Sequence, residues 1–419
     1  MEWYLKAASQ GNSRAQNSIG VLYENGYGVP QDYERAMEWY LKAANHRDTT
    51  AQNNIGFLYR NGHGVPQDYE KAMEWYLKAT SQGDPRAQNS IGVLHENGYG
   101  AQRNYEKAME WYLKAANQRN ASAQNSIGVF YENGYGVQRN YEAAMGWYLR
   151  AASQGNASAQ NNIGFLHQNG LGVPQDYKKA MEWYIKAASQ GNAVAQNSIA
   201  DLYENGYGVQ QDYKKAMEWY NKAAKQGNSR AQTNIGALYE DGCGVQQDYK
   251  KAMEWYLKAA KQENSRAQAK IGALYENGYG AQQDYKEAME WYRKAANQGN
   301  SRAQINIGIL YQDGCGAPQD YKEAMEWYLK AENLGDTDAH FHIGDLYENG
   351  HGVQQDLRMA REYNYITIER CLKGVNRGHY IRRLNLDTLR PLSSNEATEA
   401  NPEDVGHGQS SCQRSGDAM

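Results

Sequence analysis

Hydrophobic and polar residues along this chain follow a pattern that recurs every 36 residues. Within residues 12–47, Ala15 and Ile19 stand four residues apart and a leucine follows three later, which predicts an amphipathic helix, helix A. A second apolar set extends from Tyr33 to Ala44 and predicts helix B. Its apolar positions, Leu41 among them, cover more than half of the circumference. A helix with so wide an apolar arc is contacted from at least two sides.

The segments between the helices carry residues suited to ending and starting them. Gly26 is expected in the left-handed conformation that ends helix A. Asp32 precedes helix B, where its carboxylate can accept from free backbone N–H groups, which is helix N-cap chemistry. Gly20 lies inside the apolar face of helix A. Because an internal glycine costs about 1 kcal/mol relative to alanine, close backbone packing is expected there.

The same unit is copied through most of the chain. All ten tryptophans are spaced by 36 residues and are Trp3, Trp39, Trp75, Trp111, Trp147, Trp183, Trp219, Trp255, Trp291 and Trp327. A helix pair of this length cannot bury its apolar face alone, so neighbouring pairs must stack. The sequence therefore predicts an all-α solenoid of about ten helix-turn-helix repeats, with the tryptophans and tyrosines in its core.

Charge and cysteine usage exclude several classes of protein. The formal net charge of -4 provides no basic face for nucleic acid. The sequence contains no run of 18 apolar residues, the length needed to span a membrane, and no secretory leader is visible. Cys243 and Cys315 lie two repeats apart, roughly 20 Å if neighbouring helices are ~10 Å apart, which is too far for a disulfide. This usage favours a reducing compartment, and we expect a cytoplasmic protein.

Three regions are expected along the chain. Residues 1–372 form the repeat array, residues 373–390 a basic capping or linker segment, and residues 391–419 a disordered tail of polar composition. The first residues match the middle of helix B, from Met37 onward, so we expect that part of the array precedes them. Membrane association is expected only through partners or the basic segment, and the sequence leaves the oligomeric state open.

No residues converge into a catalytic, cofactor or metal site. Four of the nine histidines, such as His63 and His95, replace tyrosines at packing positions, and they are scattered along the array. His340 and His342 are two residues apart and point to different faces of a helix. The Gly-Tyr-Gly turns lack the strand and the Gly-Lys-Ser/Thr of a phosphate loop. We therefore predict a protein that is not an enzyme and needs no cofactor.

The recurring pattern resembles the Sel1-like repeat, a branch of the tetratricopeptide-like superhelices. The matching residues in the type unit are Ala15, Ile19, Gly20, Tyr23, Gly26, Tyr27, Gly28, Val29, Asp32, Ala36, Trp39, Lys42, Ala43 and Ala44. The resemblance covers roughly residues 1–370. It implies a right-handed, two-layer superhelix with a concave groove, used as a scaffold or adaptor in processes that include signalling.

The resemblance leaves two other functions open. Related proteins serve in membrane-protein degradation complexes and in cell-wall synthase regulation, so a regulatory subunit of such a complex is one alternative. Cysteine-rich relatives have been associated with weak penicillin hydrolysis, but they pair cysteines within each repeat. This chain has no such pairs, which argues against a β-lactam hydrolase.

In related superhelices helix A lines the concave surface, and its outward positions are expected to bind a partner segment. One amide per repeat could hold the backbone of an extended peptide. Alternatively, these asparagines satisfy nearby backbone or loop groups, and the sequence favours neither reading. The expected partner-binding residues are Arg14, Asn17, Val21, Asn53, Phe57, Asn89, Asn125, Asn161, Phe165, Asn197, Ile305 and Phe341.

Overall fold

The computed structural model describes residues 1–364, and every regular element in that range is an α-helix. The chain divides into two compact units, Met1–Gln211 and a second that begins at Asp212. Within residues 1–364 no helix is both long and apolar enough to cross a membrane. The predicted basic segment, residues 373–390, and the predicted tail, residues 391–419, lie outside the described residues.

Helices of 8 to 13 residues alternate along both units. The first unit contains α1 (Glu2–Ser9), α2 (Ser13–Asn25), α3 (Tyr33–Asn45), α4 (Thr49–Asn61), α5 (Tyr69–Thr80), α6 (Pro85–Asn97), α7 (Tyr105–Asn117), α8 (Ala121–Asn133), α9 (Tyr141–Ala152), α10 (Ala157–Asn169), α11 (Tyr177–Ser189) and α12 (Ala193–Asn205). The second contains α13 (Tyr213–Lys225), α14 (Ser229–Asp241), α15 (Tyr249–Ala260), α16 (Ser265–Asn277), α17 (Tyr285–Asn297), α18 (Ser301–Asp313), α19 (Tyr321–Asn333) and α20 (Asp338–Asn349). The backbone is again helical over residues 357–364. Even-numbered helices are the predicted helix A of each repeat, and odd-numbered helices are helix B.

The helix ends follow the chemistry that the sequence predicts. Gly26 ends α2 with φ of 70°, in the left-handed region. The side chain of Asp32 caps α3 by accepting from the backbone N–H of Arg35 at 2.9 Å. Helix A is also capped, because Asn12 Oδ1 accepts from the Ala15 N–H at 2.9 Å. Two capped ends and a glycine stop therefore define each helix pair from α2 to α19.

The glycine inside helix A permits close packing against the tyrosine of helix B. A Cβ atom on Gly20 would lie 2.4 Å from Cε1 of Tyr40, so any larger residue displaces the ring. Tyr40 is fully buried, together with Ala36 and Ile55. Because Ile55 belongs to α4, helix B is covered both by its own helix A and by the helix A that follows. The expectation of contact from two sides is confirmed in this part of the first unit.

Two features of helix B differ from expectation. Trp39 is half-buried: one side packs against the cluster that contains Ala8 and Ile19, and Lys42 Nζ lies 4.1 Å from its ring centroid. A cation over an indole face is favourable, and the basic side chain also shields the ring from water. Leu41 is 38% exposed, because the arc that neighbouring helices cover stops short of this position. The outer surface therefore carries leucines as well as charged residues.

Candidate functional site: the helix-A face

One side of each helix A carries the residues at positions 14, 17, 21 and 24 of the type unit. Their spacing of three, four and three residues places them on one side of a helix. We call this surface, repeated on α2, α4, α6, α8 and α10 of the first unit, the helix-A face. Its exposure is uneven: Arg14 is exposed, Val21 is half-buried and Asn17 is 9% exposed.

The asparagines of this face join one repeat to the next. Asn17 Oδ1 accepts from Asn54 Nδ2 at 3.1 Å, and Asn125 Oδ1 accepts from Asn162 Nδ2 at 3.2 Å. In the first of the two repeats between them, Asn53 Oδ1 accepts from the hydroxyl of Ser90 at 3.3 Å. Each bond spans 37 residues, from one helix A to the following one. The amides at these three positions therefore contribute to packing between repeats.

Other members of the asparagine row are held differently. Asn89 Oδ1 and Asn161 Oδ1 are buried atoms with no hydrogen-bond partner among the described residues. Asn161 Nδ2 donates to Asn162 Oδ1 at 3.4 Å. Asn197 is 7% exposed and donates to Asp201 at 2.9 Å within its own helix. The asparagines thus recur at the same position of each helix A in the first unit, but they do not all form the same hydrogen bond.

The apolar members of the expected site divide into accessible and buried side chains. Phe165 is 41% exposed, and Phe57 is half-buried with the Arg60 guanidinium 5.3 Å from its ring centroid. Ile305 is 1% exposed and belongs to a core cluster, so it does not face outward as the helical phase suggested. Phe341 is half-buried, and its ring meets that of His342 edge to face at 5.5 Å.

A row of acidic and amide side chains on the same face escaped the sequence analysis. Glu24 accepts the hydroxyl hydrogen of the buried Tyr40 from the adjacent helix B, and Glu96 does the same for Tyr112. Burial raises the pKa of Tyr40, and the Glu24 carboxylate raises it further. The same contact recurs at Glu132–Tyr148, Gln168–Tyr184, Glu240–Tyr256, Glu276–Tyr292 and Gln312–Tyr328. The missed signal was the spacing of this row, seven residues after the asparagines.

The repeat formed by α4 and α5 lacks this contact. Arg60 occupies the position of Glu24, and an arginine cannot accept a hydrogen bond. The hydroxyl of Tyr76, the equivalent of Tyr40, is consequently buried with no hydrogen-bond partner among the described residues. Burial raises the pKa of Tyr76, whereas the nearby Arg60 and Ser90 act to lower it.

Two of the histidines that replace tyrosines stack on aromatic rings. His63 stacks on Tyr33 at a centroid distance of 4.6 Å, and His351 stacks on Tyr321 at 4.4 Å. Burial lowers the pKa of His95. Across residues 1–364, no three His, Cys, Asp or Glu side chains come together in a group that could hold a metal ion.

The cysteines confirm the expectation drawn from their spacing but not the one about the compartment. Cys243 is free, so it is not bridged to Cys315, as predicted. Cys315 is nevertheless disulfide-bonded. The cysteines therefore give no support to a reducing compartment, and the cytoplasmic location stays a prediction.

Comparison with known proteins shows the family. The Sel1 repeat model matches eleven consecutive segments, from residues 1–12 to residues 337–363. A protective antigen of uropathogenic Escherichia coli with an SLR fold is 34% identical, with 96% of this chain and 92% of the antigen covered and a TM-score of 0.58. A Sel1 repeat protein from Oxalobacter formigenes is 31% identical over 74% of this chain and 90% of its own, with a TM-score of 0.52. No curated protein matches the sequence. The chain belongs to the Sel1 repeat family.

Proposed function

We propose that this chain is a non-enzymatic scaffold whose helix-A face, in the first unit, binds a segment of a partner protein. Sel1 repeat proteins generally mediate protein–protein interaction, and such solenoids are typically non-catalytic. Family membership does not specify which surface binds the partner. Support for the helix-A face comes from the side chains that it leaves accessible.

The exposure of Phe165 is the observation that carries the proposal. Ile163 and Leu166 of α10 are fully buried, yet Phe165 between them is 41% exposed. Phe57 holds the equivalent position three repeats earlier and is half-buried. Accessible aromatic side chains on a rigid surface contribute much of the binding energy at protein interfaces. Two such residues on one face therefore favour it as the binding surface.

The asparagines at position 17 hold the helices of this surface in place. Because Asn17, Asn53 and Asn125 already bond to the next repeat, they fix the spacing of the helices that present the phenylalanines. A binding face built on helices held in this way loses little conformational entropy when a partner binds. We therefore assign partner contact mainly to positions 14, 21 and 24, and register between repeats mainly to position 17.

Affinity capture from a lysate of the encoding organism tests the proposal. The bait is the full chain, compared with its Phe57→Ala/Phe165→Ala variant. The matched control is Leu77→Ala/Leu149→Ala, which removes two outer-surface leucines that are each 45% exposed. We expect a partner that is retained by the wild type and the control but lost with the phenylalanine variant. Recovery that is equal on all three baits, or lost only with the leucine variant, would reject the helix-A face.

A further inference from the structure

The acidic row of the helix-A face contains carboxylates that no cation neutralises. Glu24, Glu96 and Glu132 each use Oε2 to accept a tyrosine hydroxyl. All three side chains are half-buried. Within residues 1–364, none of the three carboxylates forms an ion pair with a basic side chain. Each therefore carries a partly desolvated negative charge, and its Oε1 atom can still accept a hydrogen bond.

In the second unit, a basic side chain lies beside the second oxygen of an equivalent carboxylate. Glu240 Oε2 accepts the hydroxyl of Tyr256, while Lys270 Nζ lies 3.0 Å from Glu240 Oε1. Lys270 comes from the next helix A, where the first unit has smaller side chains such as Ser126 and Asn162. An ammonium group thus fits beside the tyrosine-bound carboxylate. The same arrangement in the first unit, without a lysine, leaves this place for a cation from outside.

The order of charges over α2, α4, α6, α8 and α10 is not uniform. At position 24 the helices α2, α4, α6 and α8 carry Glu24, Arg60, Glu96 and Glu132, so the second place in the row is positive. The α10 residue at this position is the neutral Gln168. A ligand that complements this order is basic, acidic, basic and basic in successive repeats. Like charges placed opposite each other would exclude ligands with a different order.

We propose that the helix-A face of the first unit selects a peptide segment bearing lysine or arginine side chains, which pair with Glu24, Glu96 and Glu132. Hydrogen bonds in which both groups are charged are shorter and stronger than neutral ones, particularly where water is partly excluded. The phenylalanines supply apolar contact, and the carboxylates determine which segment is accepted. This inference rests on the proposed function and names the chemistry of its ligand.

Selection from a phage-displayed pool of random peptides tests the charge preference. The selected peptides are then measured against the full chain and its Glu24→Gln/Glu96→Gln/Glu132→Gln variant. Glutamine keeps the acceptor that the core needs, because Gln168 accepts from Tyr184 at 2.8 Å in the wild-type chain. The matched control, Glu38→Gln/Glu74→Gln/Glu110→Gln, removes equal charge from the outer surface.

We expect selected peptides rich in lysine and arginine, with affinity at least about tenfold weaker for the helix-A-face variant, since each of the three partly exposed ion pairs contributes a factor of roughly two to five. Affinity for the control should change less than twofold. Peptides without basic enrichment, or equal affinity for both variants, would overturn the inference. If binding then still falls with Phe57→Ala/Phe165→Ala, the proposed function stands without it. A pool that yields no binder overturns both.

Discussion

Removing the hydroxyl of Tyr76 is expected to leave the array as stable as before or slightly more stable, whereas removing that of Tyr112 is expected to destabilise it. Both rings are fully buried at equivalent positions. The hydroxyl of Tyr112 donates to Glu96, but that of Tyr76 has no partner among the described residues, because Arg60 replaces the acceptor. Two substitutions of identical chemistry should therefore have different consequences.

The magnitudes follow from the hydrogen bonding of each ring. A hydrogen bond to a charged group contributes about 1.5–3 kcal/mol, so Tyr112→Phe should cost about 2 kcal/mol. An unpaired buried hydroxyl costs about 1–3 kcal/mol, so Tyr76→Phe should range from neutral to about 1 kcal/mol stabilising. Arg60→Gln restores an acceptor for Tyr76 and loses a partly exposed cation–π contact. We expect a net gain of about 1 kcal/mol.

Hydrogen exchange of individual helices is the suitable assay, because long repeat arrays unfold in parts and a single global midpoint averages over them. Peptides from α5 report on Tyr76, and peptides from α7 report on Tyr112. A loss of 2 kcal/mol corresponds to exchange about 30 times faster in α7, since 1.4 kcal/mol is a factor of ten. Exchange in α5 of Tyr76→Phe should be unchanged or slower.

Equal acceleration in the two variants would refute this reasoning. It would mean that the Tyr76 hydroxyl has an acceptor in solution or that the Glu96 contact contributes nothing. The Arg60→Gln variant separates these explanations. If it slows exchange in α5, the acceptor position governs stability as described, and if it does not, the contact between helix A and the tyrosine is not a stabilising one.

Three further predictions concern single departures from the repeat. Gly146 is exposed within α9 with no other atom within 4 Å of an added Cβ, so Gly146→Ala should raise stability by about 1 kcal/mol in thermal denaturation. Leu334→Gln should supply a donor to the unpaired Oε1 of Gln304, as a glutamine does at 2.8 Å in the preceding repeat, and slow exchange in α18 by about fivefold. Backbone N–H groups hold the pKa of the Asp68 cap below its usual 3.8, so its stabilisation of α5 is present above that pH and lost as pH falls through the lower folded value. Asn104 caps α7 and does not titrate, so the first turn of α7 should keep more of its protection in acid than the first turn of α5.

The helix bounds were predictable because each is encoded within a few residues. Gly26 stops helix A and Asp32 starts helix B through contacts with their own neighbours in sequence. The close approach at Gly20 was also predictable, since a glycine inside an apolar helical face indicates a packed backbone. These features depend on local chemistry, and they recur with the period of the sequence.

The candidate site was less predictable because it depends on how neighbouring helices are rotated. Helical phase placed Asn17 and Ile305 on the outward side, but each is covered once the following helix packs beside it. The contact between Glu24 and Tyr40 joins residues 16 apart on different helices, and the 36-residue period does not specify that pairing. Leu41 was expected inside for the converse reason, since an apolar arc does not show how much of it a neighbour covers.

Site-specific photocrosslinking measures directly whether a partner binds at the helix-A face. A photoreactive phenylalanine analogue replaces Phe165 or Val93 on that face, or Leu77 or Leu149 on the outer surface, and each full-length chain is irradiated in a lysate of the encoding organism. We expect a discrete crosslinked partner from Phe165 and Val93 and none from the two leucine positions. Crosslinks from Leu77 and Leu149 alone, or from none of the four positions, would contradict it.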